Sequence, residues 1–130
     1  NPQYAQGLHN LAILSEIINL PDEASEYYEK ALDVNPNYAE AYRNQSRTKI
    51  FKKNDPQIAK MKSICTNSNL SISDKVHINF ALAKVNEDLG NQKDFFKHLN
   101  EGNRLRKLEL NYNFRISNYN IIDDLCECIC

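Results

Sequence analysis

Glycine and proline are scarce, at three and four residues in a chain of 130. So few turn-formers exclude the many tight reversals of an all-β domain. No charge sign dominates either: 16 basic and 17 acidic residues leave a formal net charge of -1. That balance argues against a protein that coats nucleic acid or lies on an anionic membrane. No apolar run approaches the ~20 residues that span a bilayer, and no basic-then-apolar signal segment opens the chain. A disulfide framework is missing as well, since Cys126, Cys128 and Cys130 crowd the last five positions and leave Cys65 alone. Alternate-residue spacing turns successive thiols to opposite sides of a helix or strand, a poor fit to one tetrahedral metal. Reduced thiols in a cytoplasmic protein are the expectation. What is present is 42% hydrophobic residues, enough for one helix-rich domain with its own core.

The chain repeats itself. Asn1-Pro2-Gln3-Tyr4-Ala5 recurs as Asn35-Pro36-Asn37-Tyr38-Ala39, and behind it Gly7 matches Ala41, Leu8 matches Tyr42 and Asn10 matches Asn44, all at an offset of 34 residues. Between the copies lie two helical patterns. Leu8, Leu11, Ala12 and Leu14 to Ile18 form one apolar face; Ala24, Tyr27, Tyr28, Ala31 and Leu32 form the other. Asn19-Leu20-Pro21-Asp22 separates them. Pro21 followed by Asp22 and Glu23 is a helix start, and Pro36 after Asn35 is a stop.

These residues resemble the tetratricopeptide repeat, a helix-turn-helix family with this period. With Ala5 as first position, Leu11, Ala12, Ala24, Tyr28, Ala31 and Pro36 fall on its signature positions. Leu8 stands where the family places a large aromatic, and Tyr42 supplies it in the next unit. The resemblance implies an all-α fold: a right-handed superhelical stack of about three helix-turn-helix hairpins plus a C-terminal helix. Residues 1–130 are then a single domain, with repeat 1 at about 5–38, a divergent repeat 2 at about 39–70, a degenerate repeat 3 at about 71–110 and a linker helix at about 113–128. In repeat 2 the first helix is expected from Tyr38 to about Lys53, although Gln45 and Ser46 replace the Leu and the small residue. Asp55-Pro56 begins its second helix, carrying Ile58, Ala59, Met61, Ile64 and Cys65. Ser71 or Ser73 caps the next helix, which stops at Gly90, and a last one runs from about Gln92 to Leu110. Leu82-Ala83 lies 71 residues after Leu11-Ala12, two periods plus three, so a short insertion is expected near Asn67.

Asp55-Pro56-Gln57-Ile58, Phe80-Ala81-Leu82-Ala83-Lys84, Glu87-Asp88-Leu89-Gly90 and Glu101-Gly102-Asn103-Arg104-Leu105-Arg106 also resemble the repeat region that precedes the catalytic domain in bacterial tetratricopeptide-sulfotransferase proteins. In that family the following domain opens with a strand and a phosphate-binding loop. No glycine lies beyond Gly102, so no such loop can be drawn here. The resemblance implies the non-catalytic part of a longer protein. Asn1-Pro2, resembling the close of a preceding repeat, agrees.

No constellation for catalysis emerges from the residues themselves. His9, His77 and His98 have no second ligand at metal-binding spacing, and no Gly-x-Ser-x-Gly elbow occurs. Cys65 lies on an apolar stripe and reads as core filler. Glu87-Asp88 and Asp123-Asp124 are sequence neighbours, which a helix points ~100° apart, so both pairs read as solvated surface. Neither enzymatic activity, a metal nor a cofactor is expected of this chain alone.

A stack of helical hairpins instead offers an extended concave face lined by the first helix of each unit. Register places Gln6, His9, Asn10, Ile13 and Ile17 there from unit 1, and Glu40, Arg43, Asn44, Arg47 and Phe51 from unit 2. Asn and Arg can satisfy a peptide backbone or carboxylate, and Ile and Phe can anchor apolar side chains; hydrated surface is the bland alternative. The family's carboxylate clamp is not expected, because His9 and Ile13 stand where Lys and Asn are needed. Residues 1–38 carry one Lys against six acids, and residues 39–65 carry seven bases against two acids. Either the two hairpins offset each other, or Arg43, Arg47, Lys49, Lys52 and Lys53 attract an acidic protein or peptide partner. Nucleic acid is disfavoured, with only Phe51 to stack on bases. Self-association through the C-terminal helices is expected from Leu105, Leu108 and Leu110.

Overall fold

The computed structural model describes the backbone of residues 2–129 and the side chains of residues 3–117. Six helices follow one another: α1 (Pro2–Ile17), α2 (Pro21–Val34), α3 (Ala39–Ser46), α4 (Pro56–Cys65), α5 (Ile72–Leu89) and α6 (Gln92–Ile129). The chain is all-α, with no strand among the described residues. No helix among them is long and apolar enough to cross a membrane.

Local chemistry accounts for most boundaries. Asn19 adopts φ 64° after α1, and the N–H groups of Asn19 and Leu20 close back on the carbonyls of Glu16 and Ser15 at 3.0 and 2.8 Å. This is the left-handed Schellman close, which Asn tolerates better than most side chains. Gly90, at φ 77°, repeats it after α5, with Gly90 and Asn91 bonding to Glu87 and Asn86. The two closes are 71 residues apart, the offset that also relates Leu11-Ala12 to Leu82-Ala83. Pro21 sits in the first turn of α2 with Asp22 and Glu23. Asp55 caps α4 by accepting from Gln57 N–H, and Ser71 caps α5 by accepting from Asp74 N–H.

Packing follows chain order with one departure. α1 packs on α2, α2 on α3, α4 on α5 and α5 on α6, but α3 rests chiefly on α5 and barely meets α4. The core is continuous through these layers. Ala12, Ala24, Tyr28 and Leu32 meet Ala41 and Tyr42, then Ile58, Met61 and Ile64, then Ile78, Ala81, Leu82 and Val85. Alanines at the crossings let the helix axes approach closely. On α1 only part of the expected apolar face is covered. Leu8 and Ala12 are buried, whereas Leu11, Leu14, Ile17 and Ile18 are exposed, because α2 covers one side of α1 and no described element covers the other.

Two helix expectations need correction. The first helix of unit 2 ends at Ser46 rather than near Lys53. The Ser46 and Thr48 hydroxyls donate to the carbonyls of Arg43 and Gln45, and the N–H groups of Arg47 and Thr48 bond three residues back. These contacts use up the helix's last acceptors. The connector that follows is held by α5: Lys84 donates to the Lys49 carbonyl at 3.3 Å, and Asp88 accepts from Phe51 N–H at 3.0 Å. Asp88 is therefore a structural ligand of the connector, not solvated surface, while Glu87 is exposed. At the C-terminus there is no separate linker helix, because α6 is one helix of 38 residues. No Pro and no Gly follow Gly102 to break it.

Candidate functional site

The polar side chains of α1 and α3 converge between the first two helical pairs. His9, only 3% exposed, lies between the rings of Tyr28 and Tyr38, at centroid distances of 5.6 and 4.9 Å. Its Nε2 is 2.9 Å from Asn44 Nδ2 and its Nδ1 is 3.2 Å from Tyr38 Oη. Arg47 donates to Asn44 Oδ1 at 3.0 Å, which fixes the amide with its NH2 toward His9. Nε2 is then the acceptor, and Nδ1–H donates to Tyr38. Arg47 also pairs with Glu16 at 3.2 Å, and Glu16 accepts from Tyr28 Oη at 3.0 Å. A chain of polar contacts thus runs Tyr28–Glu16–Arg47–Asn44–His9–Tyr38 across α1, α2 and the α3 region. Burial lowers the His9 pKa, only partly opposed by Glu40 and Glu16. The Tyr28 hydroxyl is pushed well up by burial and by the Glu16 carboxylate.

A second junction joins α3 to α5 and α6. Arg43 Nη1 donates to His77 Nδ1 at 3.2 Å, and its guanidinium lies 4.7 Å over the Phe80 ring. Gly102 of α6 also adjoins Phe80, and a Cβ there would meet Phe80 Cε1 at 3.0 Å. Burial, and after it the Arg43 charge, lower the His77 pKa.

The expected face residues sort into three groups. His9, Asn44 and Arg47 are directly joined, and Arg43 lies one turn away, with exposed Glu40 close enough to act on both His9 and Arg43. Asn10 and Ile17 are exposed, Gln6 is exposed, and Ile13 is half-buried against the core. Phe51 is 2% exposed and belongs to the core, since α3 ends before it. The bases also redistribute. Lys49 pairs with Asp55 at 2.6 Å, and Lys52 and Lys53 lie exposed on the connector, off any helix.

Sequence reasoning missed Glu16, Tyr38, His77, Phe80 and the Lys84–Asp88 pair. The period itself was a usable signal, because Arg43 and His77 are 34 residues apart and His9 and Asn44 are 35 apart. Cys65 is partly buried at the edge of the core, with its thiol pKa raised by burial. It borders a second, shallow cleft of about 380 Å³ among α4, α5 and α6, with Lys62, Lys97 and His98 at its rim. Cys126, Cys128 and Cys130, and Asp123-Asp124, lie outside the described side chains. Among the described residues no group of His, Cys, Asp and Glu could hold a metal ion. Comparison with protein-family models, curated proteins and solved structures finds no match to this chain.

Proposed function

We propose that this chain is a tetratricopeptide-type repeat stack, non-catalytic by itself, that binds an extended peptide or partner segment along the face of α1, α3 and α5. The observation that carries this reading is the pair of side-chain bonds between consecutive first helices, His9–Asn44 and Arg43–His77, made 35 and 34 residues apart, close to the repeat period. In a stack of 34-residue hairpins each first helix lies beside the next, so residues one period apart become neighbours. The matching Asn19 and Gly90 closes support the same relation between the first and third units.

Such a face works by prepaid order. The buried His9 network fixes α1 against α3 before any ligand arrives, so binding need not order the receptor. Asn10, Glu40, Arg43 and Arg47 supply donors and acceptors for a peptide, and Ile13 and Ile17 supply apolar contact. The setting is a reducing, cytoplasmic one, and the partner is a protein rather than a nucleic acid. The test is to select peptides from a random display library on the intact chain and to map a selected peptide by backbone amide shifts. Shifts confined to α1, α3 and α5 are expected. Shifts confined to the α4–α6 cleft, or no selectable peptide, would overturn the proposal.

A further inference from the structure

Several cations near this face already have an acid. Arg47 is paired with Glu16, Lys49 with Asp55 and Lys84 with Asp88. Arg43 is not. It is half-buried, and among the described residues no carboxylate oxygen lies within the 4.0 Å of an ion pair. Its one hydrogen bond goes to a neutral imidazole, leaving the other guanidinium donors unused. Beyond burial, the strongest charge influences on it are the like charges of Arg106 and Arg47, with Glu40 opposing them more weakly.

The support beneath Arg43 is built rather than incidental. The Arg43 guanidinium carbon lies over the Phe80 ring, 4.7 Å from its centre, and Gly102 lets that ring sit against α6. Glycine is a poor residue for the middle of a long helix, so its place there is explained by the close approach of Phe80. Contact with the ring restrains the guanidinium, and the N–H groups beyond the one bonded to His77 are left for a ligand.

We propose that Arg43 is a preformed receptor for a carboxylate of an acidic peptide bound on the face of α1, α3 and α5. This rests on the proposed peptide-binding face and names what that face selects. A planar fork on an aromatic ring suits a bidentate carboxylate, and the partly desolvated setting strengthens the bond. Arg106 and Arg47 raise the local positive potential, and Glu40 tempers it.

The probe is an end-blocked twelve-residue peptide of alternating alanine and glutamate, with a glutamine counterpart as control, followed by the Arg side-chain Nε–H signals of the full chain. The glutamate peptide is expected to move the Arg43 signal saturably, and the glutamine peptide is not. Arg43→Gln should weaken glutamate-peptide binding about ten- to a hundredfold, the loss of one charge-assisted bidentate contact. Arg43→Lys, which keeps the charge but loses the fork, should still weaken it, and Glu40→Gln should tighten it. Unchanged affinity in both Arg43 variants, each with a native-like amide spectrum, would overturn the proposal. If both peptides bind equally at α1, α3 and α5, the face stands and the Arg43 receptor falls. If a selected peptide does not bind that face at all, the underlying reading falls with it.

Discussion

Gln45 offers a direct test of how the second unit is held together. It is fully buried, and its Oε1 has no hydrogen-bond partner, while Nε2 donates to the Ser25 carbonyl at 3.2 Å and, more weakly, to Ser25 Oγ at 3.4 Å. Turning the amide over does not remove the orphan. Oε1 would then face the Ser25 hydroxyl, and Nε2 would be stranded instead. Gln45→Leu replaces the amide with an apolar group of similar size at a position surrounded by core. A stranded buried acceptor costs about 1–3 kcal/mol, and the lost bond to Ser25 is worth about 0.5–1.5 kcal/mol. The Ser25 carbonyl lies within α2 and keeps its helical acceptor role. The balance is a gain of about 1 kcal/mol, or roughly 3–4 °C in Tm for a domain of this size. Thermal melts followed by circular dichroism, with urea titrations alongside, would measure it. Gln45→Ala should go the other way, because it leaves a cavity as well as losing the bond. A Gln45→Leu protein less stable than the parent would refute the reasoning, since it would mean that the amide is needed where it lies.

Acidification below about pH 6.5 should destabilise the fold through its histidines. His9, His77 and His98 all have pKa values lowered from 6.5 by burial. Between those lowered values and 6.5 the unfolded chain binds more protons than the folded one, so stability is full above 6.5 and lost as pH falls. Tm should be level from about pH 7 to 8 and lower at about pH 5.5, with a shallower fall in His9→Gln; equal melting temperatures at both ends would contradict this. Gly102→Val should cost about 1–3 kcal/mol in a urea titration, because its Cβ branch meets the Phe80 ring pinned beneath Arg43; an unchanged midpoint would show that the ring moves freely. The long α6 predicts self-association: 38 residues span about 57 Å and the 18 of α5 only about 27 Å. Past the end of α5 the stripe begun by buried Leu105 continues through exposed Leu108, Tyr112 and Ile116, a ready seam for a second copy. A dimer by sedimentation, lost in Tyr112→Asp with Ile116→Asp, is expected, and a monomer at high concentration would refute it.

Local signals carried the boundaries well where one residue decides them. Pro21, Asp55, Ser71 and Gly90 each act within a turn of their own position, so the starts of α2, α4 and α5 and the close of α5 could be placed from sequence. The period did the same for the pairing of α1 with α2. The boundaries that failed depend on distant partners. The segment after Ser46 reads as helical in isolation, with Arg43, Arg47 and Phe51 at helical spacing. Yet its backbone is claimed by Lys84 and Asp88, more than thirty residues away. Phe51 left the expected binding face for the same reason: once the helix ends, its ring turns into the core.

The same logic explains why charge composition alone did not show which bases are paired. The excess of bases in residues 39–65 is real, yet most of it is spent locally or lies loose on the connector. Lys49 answers Asp55 across the connector, and Arg47 answers Glu16 of the acidic first hairpin. The two hairpins offset each other in part through Arg47, and several cations of the segment are left without an acid. One of these is Arg43, and what sets it apart is not visible in any count of charges. It depends on Phe80 lying beneath it and on the absence of a side chain at Gly102, one contribution each from α5 and α6. A receptor assembled from three helices, with a glycine as its third member, leaves in the sequence only an unfavourable residue in the middle of a long helix. Mid-helix glycines opposite an aromatic of the preceding helix are thus the feature to seek in other helical hairpins, because they mark where two helices pack tightly enough to hold a guanidinium from a third in place.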